Sequence, residues 1–219
     1  SDGIEGCQHS VFEILSNSID EAREGYGKLI TVTRYSNGSV EIEDHGRGIP
    51  VDYNKNEERY NWELVYCELY AGGKYNTNSG ENYEYSLGLN GLGACATQYS
   101  SEYMRVASYN GKQVSEIDFK KGEVASELSV RDIERSDKKK TGTVITWKPD
   151  LEVFTDIKIP REFFIDTMKR QSVVNAGITF ILKYQESDGK FTEYKFLYEN
   201  GISDYISELA GDTALTGTI

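Results

Sequence analysis

Four polar side chains that could support acid–base or ligand chemistry recur every fourth residue near the start of the chain. They are His9, Glu13, Asn17 and Glu21, a spacing that places them along one face of a helix. A histidine one turn before a carboxylate can orient that carboxylate or tune its protonation. A solvent-facing helix edge shows the same pattern, so the spacing alone leaves both interpretations open.

A second group is the segment Asp44-His45-Gly46-Arg47-Gly48-Ile49-Pro50, which directly follows a predicted strand. Glycines on both sides of Arg47 permit backbone conformations that other residues avoid, or the close approach of a ligand. Asp44, at the end of the strand, could accept a hydrogen bond from an exocyclic amine. The alternative is an ordinary turn before a loop, because Asp-x-Gly-x-Gly is a weak pattern on its own.

A glycine-rich segment, Gly88-Leu89-Asn90-Gly91-Leu92-Gly93, precedes a helix-like stretch from Ala94 to Tyr99. Such a loop presents backbone N–H groups and the positive end of a helix dipole to anions such as phosphate. It is neither a P-loop nor a dinucleotide-binding fingerprint, because its spacing and surroundings differ. Lys74 follows a glycine pair and could swing toward a phosphate, although exposed loop lysines are common. A threonine in a strand, as at Thr143, is usually structural.

The elements around these residues predict an α+β fold. Apolar residues at helical spacing predict helices at 8–24, 60–70, 161–175 and 202–210. Strands are predicted at Leu29–Tyr35, Ser39–Asp44, Tyr103–Tyr109, Gln113–Lys120, Glu127–Val130, Gly142–Trp147, 178–184 and 191–197, with glycine-containing turns between several of them. This order predicts a two-layer α/β sandwich, a mixed and mostly antiparallel sheet with helices on one face. The charged run 134–140 is expected to be a solvated loop, and 211–219 carries no clear signal.

Composition excludes several classes of function. The 219 residues carry 24 basic and 36 acidic side chains, a formal net charge of −12, which argues against this surface gripping a nucleic-acid backbone. No apolar run approaches the roughly 18 residues that a membrane span needs. Three cysteines without a close pair and only two histidines favour a reducing compartment and argue against a zinc site.

Taken in order, the motifs resemble the ATPase domain of the GHKL superfamily, and within it the type II topoisomerase branch of DNA gyrase B and topoisomerase IV. The matching segments are FEILSNSIDEA at 12–22, EDHGRGIPVD at 43–52, YAGGKYNTNS at 70–79, SLGLNGLGA at 86–94 and KTGTVITWKPDLEVFT at 140–155. The resemblance implies an ATP-binding domain at 1–210 with a lid segment at 71–93. Residues 211–219 would be a stub leading toward a transducer domain.

The resemblance implies a role for each residue at a matching position. Glu13 would orient and deprotonate the attacking water, His9 would help to position it, and Asn17 would hold the Mg²⁺ that bridges the phosphates of ATP. Asp44 would accept from the adenine amino group, with Thr143 bonding a shared water. The adenine pocket would be lined by Ile14, Ser18, Ile42, Ala94 and Ile145, and rimmed by Gly48, Ile49 and Pro50. Glu21 and Arg47 would pair over its open side, while Lys74 and loop 88–93 would close over the phosphates as a lid.

For the whole protein, the resemblance implies an ATP-dependent DNA topoisomerase in the cytoplasm. ATP binding would dimerise two B-type subunits as a gate over captured DNA, and A-type subunits would break the strands. The matching N-terminal arm would lie before Ser1 and the transducer after Ile219, so this chain is expected to be monomeric and to hydrolyse ATP slowly. Ser16, Leu87 and Asn90 depart from the family pattern. Ser115 stands where many gyrases have a basic residue, which predicts weaker binding of aminocoumarin inhibitors.

Three alternatives remain open at this point. The chain could be another GHKL ATPase, such as a MutL-type mismatch-repair protein or a heat-shock chaperone of the ninety-kilodalton class. It could be a nucleotide-responsive binding module without useful hydrolysis. The catalytic domain of a histidine kinase is the third alternative, although no phosphoacceptor helix is present.

Overall fold

The computed structural model describes residues 3–49, 53–56, 58–60, 97–137 and 139–216. Within these residues the helices are α1 (Ile4–Arg23), α2 (Arg161–Val174) and α3 (Ile202–Thr216), and residues 97–99, at the end of the predicted helix-like stretch 94–99, are also helical. The strands are β1 (Leu29–Arg34), β2 (Val40–Glu43), β3 (Tyr53–Asn54), β4 (Arg59–Tyr60), β5 (Ser101–Asn110), β6 (Gln113–Lys120), β7 (Glu123–Val124), β8 (Ser129–Asp132), β9 (Thr141–Pro149), β10 (Thr179–Gln185) and β11 (Phe191–Phe196).

One nine-stranded sheet forms the frame of the described residues. Its order is β11-β10-β1-β2-β9-β5-β6-β7, and β8 also pairs with β6. β1 and β10 are parallel, whereas the other pairs in this sheet are antiparallel. α1 packs on β1, β2 and β9, and α2 packs on β10 and β11. The predicted two-layer α+β sandwich is confirmed.

The core lies between the helices and one face of the sheet. Alternate residues of β9, namely Thr143, Ile145 and Trp147, are buried, as the two-residue period of a strand requires. Trp147 is fully buried, and its Nε1 donates to the carbonyl oxygen of Thr97 at 3.1 Å, so its polar atom is satisfied. Leu15 of α1 is 2% exposed. This packing holds α1 over the two strands that carry Asp44 and Thr143.

The predicted hairpins are present. β5 and β6 pair around Asn110-Gly111, and β10 and β11 pair around Asp188-Gly189. In the turn after β6, Lys121 has φ 49° and Gly122 has φ 83°. Positive φ at both residues is the type I′ geometry, whose twist matches that of antiparallel strands.

Two helix boundaries differ from the prediction by more than one residue. α1 begins at Ile4 rather than at residue 8, because Cys7, fully buried, extends its apolar face by a turn. α3 continues to Thr216, so the predicted end at 210 is wrong. The helix runs through Gly211, because a glycine inside a helix costs only about 1 kcal/mol relative to alanine. The domain limit at 210 therefore falls inside a helix, and as a domain limit it stays a prediction.

Several short or exposed strands differ from the prediction, and two predicted segments lie outside the described residues. β8 lies two residues later than predicted, and all four of its residues are exposed, so no alternation marks it. The two-residue strands β3, β4 and β7 were not predicted. The charged run contains a 3₁₀ turn at Arg135–Asp137. Residues 134–136 and 139 are exposed, as expected, whereas Lys140 is half-buried. The predicted helix 60–70 lies outside the described residues except for Tyr60, the last residue of β4, and loop 71–93 lies wholly outside them. None of the described helices combines the length and apolarity of a membrane span.

Candidate functional site

The carboxylate of Asp44 is buried at the end of β2 and accepts four hydrogen bonds. Ser18 Oγ and Thr143 Oγ1 each donate to Oδ2 at 2.7 Å. The backbone N–H groups of Gly46 and Thr143 donate to Oδ1 at 3.0 and 3.1 Å. Such partners are what a carboxylate that is 6% exposed requires. Asp44 is thus held as a fixed acceptor, and Thr143, predicted to share a water with it, contacts it directly.

Glycines let three segments converge on this carboxylate. Gly142 has φ 117°, and a Cβ there would overlap the carbonyl oxygen of Asp44. A Cβ at Gly46 would lie 2.9 Å from Glu21 Oε2. The glycines of the Asp-x-Gly-x-Gly turn and of the Gly-Thr strand are therefore needed where β2, β9 and α1 meet.

Arg47 and Glu21 form the predicted ion pair, which ties α1 to the turn after β2. Arg47 Nη2 donates to Glu21 Oε1 at 2.6 Å, and Nε donates to Oε2 at 3.1 Å. The side chains are 14% and 8% exposed, so the pair is largely shielded from water. Glu24 accepts from the same Nη2 at 2.9 Å, and the guanidinium carbon lies 4.1 Å from the centroid of the Tyr26 ring.

The polar edge of α1 runs from solvent into the site. His9 Nε2 lies 3.3 Å from Glu13 Oε1, and these side chains are 72% and 32% exposed. Asn17 is half-buried, and Glu21 is buried. A purely solvated helix edge would not show this gradient. From Ser18 back to Glu13 the helix rises about 7.5 Å, so the Asp44 contact and the Glu13 carboxylate lie along one short stretch of α1.

Apolar side chains surround the Asp44 cluster. Ile14, Ile42 and Ile145 are 4%, 1% and 6% exposed and belong to one core cluster. Ile42 and Ile145 are paired across β2 and β9; Ile42 lies two residues before Asp44, and Ile145 lies two residues after Thr143. Predicted lining residues from three elements are thus brought together, a setting that suits the flat apolar body of a base.

Ser108, near the end of β5, is a site residue that the sequence interpretation missed. The backbone N–H of Ile49 donates to Ser108 Oγ at 2.8 Å, and that hydroxyl donates to the Ile49 carbonyl oxygen at 3.2 Å. Ser108 therefore fixes Gly48 and Ile49, which were predicted as the rim. One sequence signal was available for Ser108: it is a serine in a strand segment that also contains the buried apolar residues Met104 and Val106.

Part of the predicted site lies outside the described residues. It comprises Pro50, Lys74, Gly88, Leu89, Asn90, Gly91, Leu92, Gly93 and Ala94. Their predicted roles at the rim, in the pocket lining and in the lid stay predictions.

Comparison with known families identifies the fold and its motifs. The family described as histidine kinase-, DNA gyrase B- and HSP90-like ATPase matches residues 3–153, which include α1, the Asp44 turn and Thr143. The chain belongs to this ATPase family.

Within this ATPase family, the chain is homologous to the B subunits of DNA gyrase and of type 2 topoisomerase. It is 35% identical over 204 residues to the DNA gyrase B protein of Mycoplasmoides gallisepticum, a match that covers 93% of this chain and 31% of that protein. It is 36% identical over 207 residues to the type 2 topoisomerase B protein of Aquifex aeolicus, covering 94% and 25%. The mitochondrial DNA gyrase B protein of Arabidopsis thaliana is 33% identical over 215 residues, covering 97% and 29%. The chain thus spans between a quarter and a third of these relatives.

A solved structure has the same fold. The 43K ATPase domain of Thermus thermophilus gyrase B, in complex with an aminocoumarin, matches with a TM-score of 0.80 and 29% sequence identity. The match covers 96% of this chain and 51% of that one. The architecture described above is therefore that of a gyrase B ATPase domain.

The candidate site offers an oxygen ligand of the type that Mg²⁺ prefers, the amide oxygen of Asn17. Asn17 lies one turn from Glu13, and its amide makes no hydrogen bond with another described residue. Among the described residues, no group of three or more His, Cys, Asp or Glu side chains is arranged to hold a metal. Mg²⁺ takes oxygen ligands, and in nucleotide sites most of them come from phosphates and water, with one or two protein groups that are commonly carboxylates. The amide oxygen of Asn17 has the required chemistry for such a protein ligand.

Acidic charge gathers at the Glu21 end of the candidate site. Burial raises the pKa of Asp20; Arg23 lowers it, and the charges of Glu24 and Glu21 raise it again. Arg47 is bound to Glu21 and Glu24 within the same cluster. The end of α1 near the Asp44 turn therefore disfavours added negative charge.

Proposed function

We propose that this chain is the ATP-binding and ATP-hydrolysing domain of a gyrase B-like type II topoisomerase. The observation that carries the proposal is the double attachment of α1 to the turn after β2. Ser18 binds Asp44, and Glu21 binds Arg47. Because Asn17 and Glu13 precede them on the same helix, one cleft has a base-recognising acceptor at one end and a carboxylate at the other.

Asp44 recognises the base in this proposal. Its buried carboxylate accepts from the 6-amino group of adenine, and the isoleucine side chains of α1, β2 and β9 contact the ring. Glu21 and Arg47 stabilise the turn on which the recognition depends. The pairing is buried and bidentate, which fixes the geometry of the turn.

Glu13 acts as the general base on the attacking water. A carboxylate that is one-third exposed can reach a water and accept its proton. His9, 3.3 Å away, restrains the carboxylate and orients it toward the terminal phosphate. Positioning and charge stabilisation supply most of the help in phosphoryl transfer, and the predicted lid, Lys74 and loop 88–93, would exclude water and contact the phosphates.

Asn17 would hold Mg²⁺ through its amide oxygen. The ion held there would supply positive charge against the phosphates of ATP. The protein's own part is to present this oxygen one helical turn from Glu13 and one residue from Ser18. Base recognition, metal binding and water activation then follow one another along α1.

For the whole protein, we propose ATP-driven dimerisation of two B-type subunits and strand passage of DNA with A-type subunits. This proposal includes a domain at 1–210, a lid at 71–93 and a stub at 211–219. It also includes a cytoplasmic location and slow ATP turnover by a monomeric chain.

The Thermus thermophilus relative was solved with an aminocoumarin. We propose that this class binds here too, more weakly because buried Ser115, which pairs across the sheet with Ser108, offers no basic side chain.

Calorimetric titration with a non-hydrolysable ATP analogue, with and without Mg²⁺, tests the binding function. The native chain should bind, more tightly with Mg²⁺, and Asp44→Asn should weaken the affinity at least about tenfold because an amide cannot accept in the same way. Asp118→Asn is the matched control, since Asp118 lies on the same sheet in an exposed pair with Arg105. A native chain that bound no adenine nucleotide would refute the proposal.

Steady-state ATPase measurements test the catalytic role. Glu13→Gln should keep the affinity for the ATP analogue and lower turnover by about a hundredfold or more. Turnover by the native chain no higher than that of Glu13→Gln would favour a nucleotide-binding module without useful hydrolysis. The binding result would still stand in that case.

A further inference from the structure

The carboxylate of Asp44 has all its acceptor positions in use. An ionised carboxylate offers about four lone-pair positions, and Asp44 accepts two hydroxyl and two backbone donors at 2.7–3.1 Å. An incoming exocyclic amine is a fifth donor. It can bind Asp44 well only if one of the four donors turns away.

Two of these donors are fixed by the backbone. The N–H of Thr143 donates to Oδ1 while the N–H of Asp44 donates back to the Thr143 carbonyl oxygen at 3.0 Å. This reciprocal link extends the pairing of β2 with β9. The N–H of Gly46 closes the turn two residues after Asp44. Neither donor can leave Oδ1 without opening the turn or the end of the sheet.

Of the two hydroxyls on Oδ2, that of Ser18 is the easier to withdraw. Ser18 lies inside α1, where a serine hydroxyl can turn to the carbonyl oxygen four residues earlier, that of Ile14. Thr143 is β-branched and lies on a strand, so its side chain is stiffer, and its backbone is already bound to Asp44. Ser18 therefore has a second acceptor ready.

We infer that Ser18 is a specificity-determining residue whose hydroxyl competes with the amino group of the base for Oδ2 of Asp44. The inference rests on the proposed ATP-binding function. When an aminopurine enters, the Ser18 hydroxyl turns to Ile14 and the amine takes its position on Oδ2. A purine without the amine leaves the Ser18 bond in place. Ser18 thus lowers the preference of the site for adenine below what Asp44 alone would give.

Calorimetry with two triphosphates on Ser18→Ala tests this inference. One probe is a non-hydrolysable ATP analogue, and the other is the matching purine riboside analogue, which has hydrogen in place of the 6-amino group. We expect about fivefold tighter binding of the ATP analogue, because a bond to a carboxylate is about twice as strong as the bond to a carbonyl that replaces it. Affinity for the purine riboside analogue should be unchanged.

Two further variants separate competition from packing. Ser18→Cys keeps nearly the same volume with a weak donor, so it should also tighten binding of the ATP analogue selectively. Ser172→Ala is the control, since Ser172 is equally buried in a helix and donates only to the Lys169 carbonyl oxygen at 2.6 Å. It should change neither affinity.

The possible results are distinct. Selective tightening in both Ser18 variants supports the competition. Weaker or unchanged binding of the ATP analogue, or equal changes for both ligands, would mean that Ser18 only holds Asp44 in place, and would overturn the inference while leaving the proposed function intact. Absence of adenine-nucleotide binding in the native chain and all variants would overturn both.

Discussion

Gly142 occupies a position that only glycine fits. Its φ is 117°, and an added Cβ would overlap the backbone oxygen of Asp44, an atom that cannot rotate aside. We expect Gly142→Ala to lower the free energy of unfolding by about 3 kcal/mol or more. Urea unfolding measures this loss.

A second glycine supplies the matched control for that substitution. Gly189, in the turn between β10 and β11, also has positive φ, but a Cβ there meets no atom within 4 Å. Gly189→Ala should therefore lose only the roughly 1–2 kcal/mol of a left-handed backbone. Equal losses in the two variants would contradict a steric role for Gly142.

Arg47 protects a buried carboxylate. Glu21 is 8% exposed, and Arg47→Met would leave it without its bidentate partner, which is expected to lower the free energy of unfolding by about 3–5 kcal/mol. The double variant Glu21→Gln/Arg47→Met removes both charges and should recover much of this loss. Urea unfolding of both variants is the measurement, and a double variant no more stable than the single one would argue against an electrostatic cause.

A site residue could be predicted from the sequence when it belongs to a motif. It could not be predicted when only the fold brings it to the site. The four-residue spacing and the Asp-x-Gly-x-Gly turn identified Glu21, Arg47 and Asp44, and the structure brings these elements together. Ser108 and Tyr26 belong to no motif. Ser108 acts on Ile49 across 59 positions of sequence, and such a contact exists only once β5 is placed in the sheet.

At the scale of elements, α1 carries the site and is held by its apolar face. Leu15 is 2% exposed in the core, so Leu15→Ala should lower the free energy of unfolding by about 2–5 kcal/mol. Leu151→Ala is the control, because Leu151 is 67% exposed and its loss should stay within about 0.5 kcal/mol. Similar urea midpoints for the two variants would contradict the packing described for α1.

Elements with a buried face were predictable from periodicity, and exposed ones were not. α1 and α2 bury one helical face, and strands such as β9 bury alternate residues, so the pattern locates them within a few residues. β8 is exposed at every residue and was misplaced by two positions. α3 passes through Gly211 and continues beyond the end predicted at 210, because one glycine costs a helix only about 1 kcal/mol.

At the scale of the whole molecule, residues far apart in sequence close the structure around α1. The thiol of Cys7 donates to the carbonyl oxygen of Asp156 at 3.4 Å, across 149 positions. Burial, and secondarily the charge of Asp156, raises the pKa of Cys7 from 9.0 to about 12. The unfolded thiol ionises first as pH rises. The stabilisation linked to this thiol is therefore complete below about pH 9 and is lost between pH 9 and 12.

Cys7 should therefore report global unfolding through its reactivity. Only the thiolate reacts quickly with a disulfide reagent, and Cys7 is fully buried as well as neutral. In a Cys67→Ser/Cys95→Ser variant at pH 8, we expect Cys7 to react at the rate at which the chain unfolds, and far faster in denaturing urea. The same variant with Cys7→Ser gives the background. If Cys7 reacted in native buffer as fast as in the urea-unfolded chain, α1 would not be held against the Asp156 segment. That result would also contradict the packing that positions Glu13, Asn17 and Ser18.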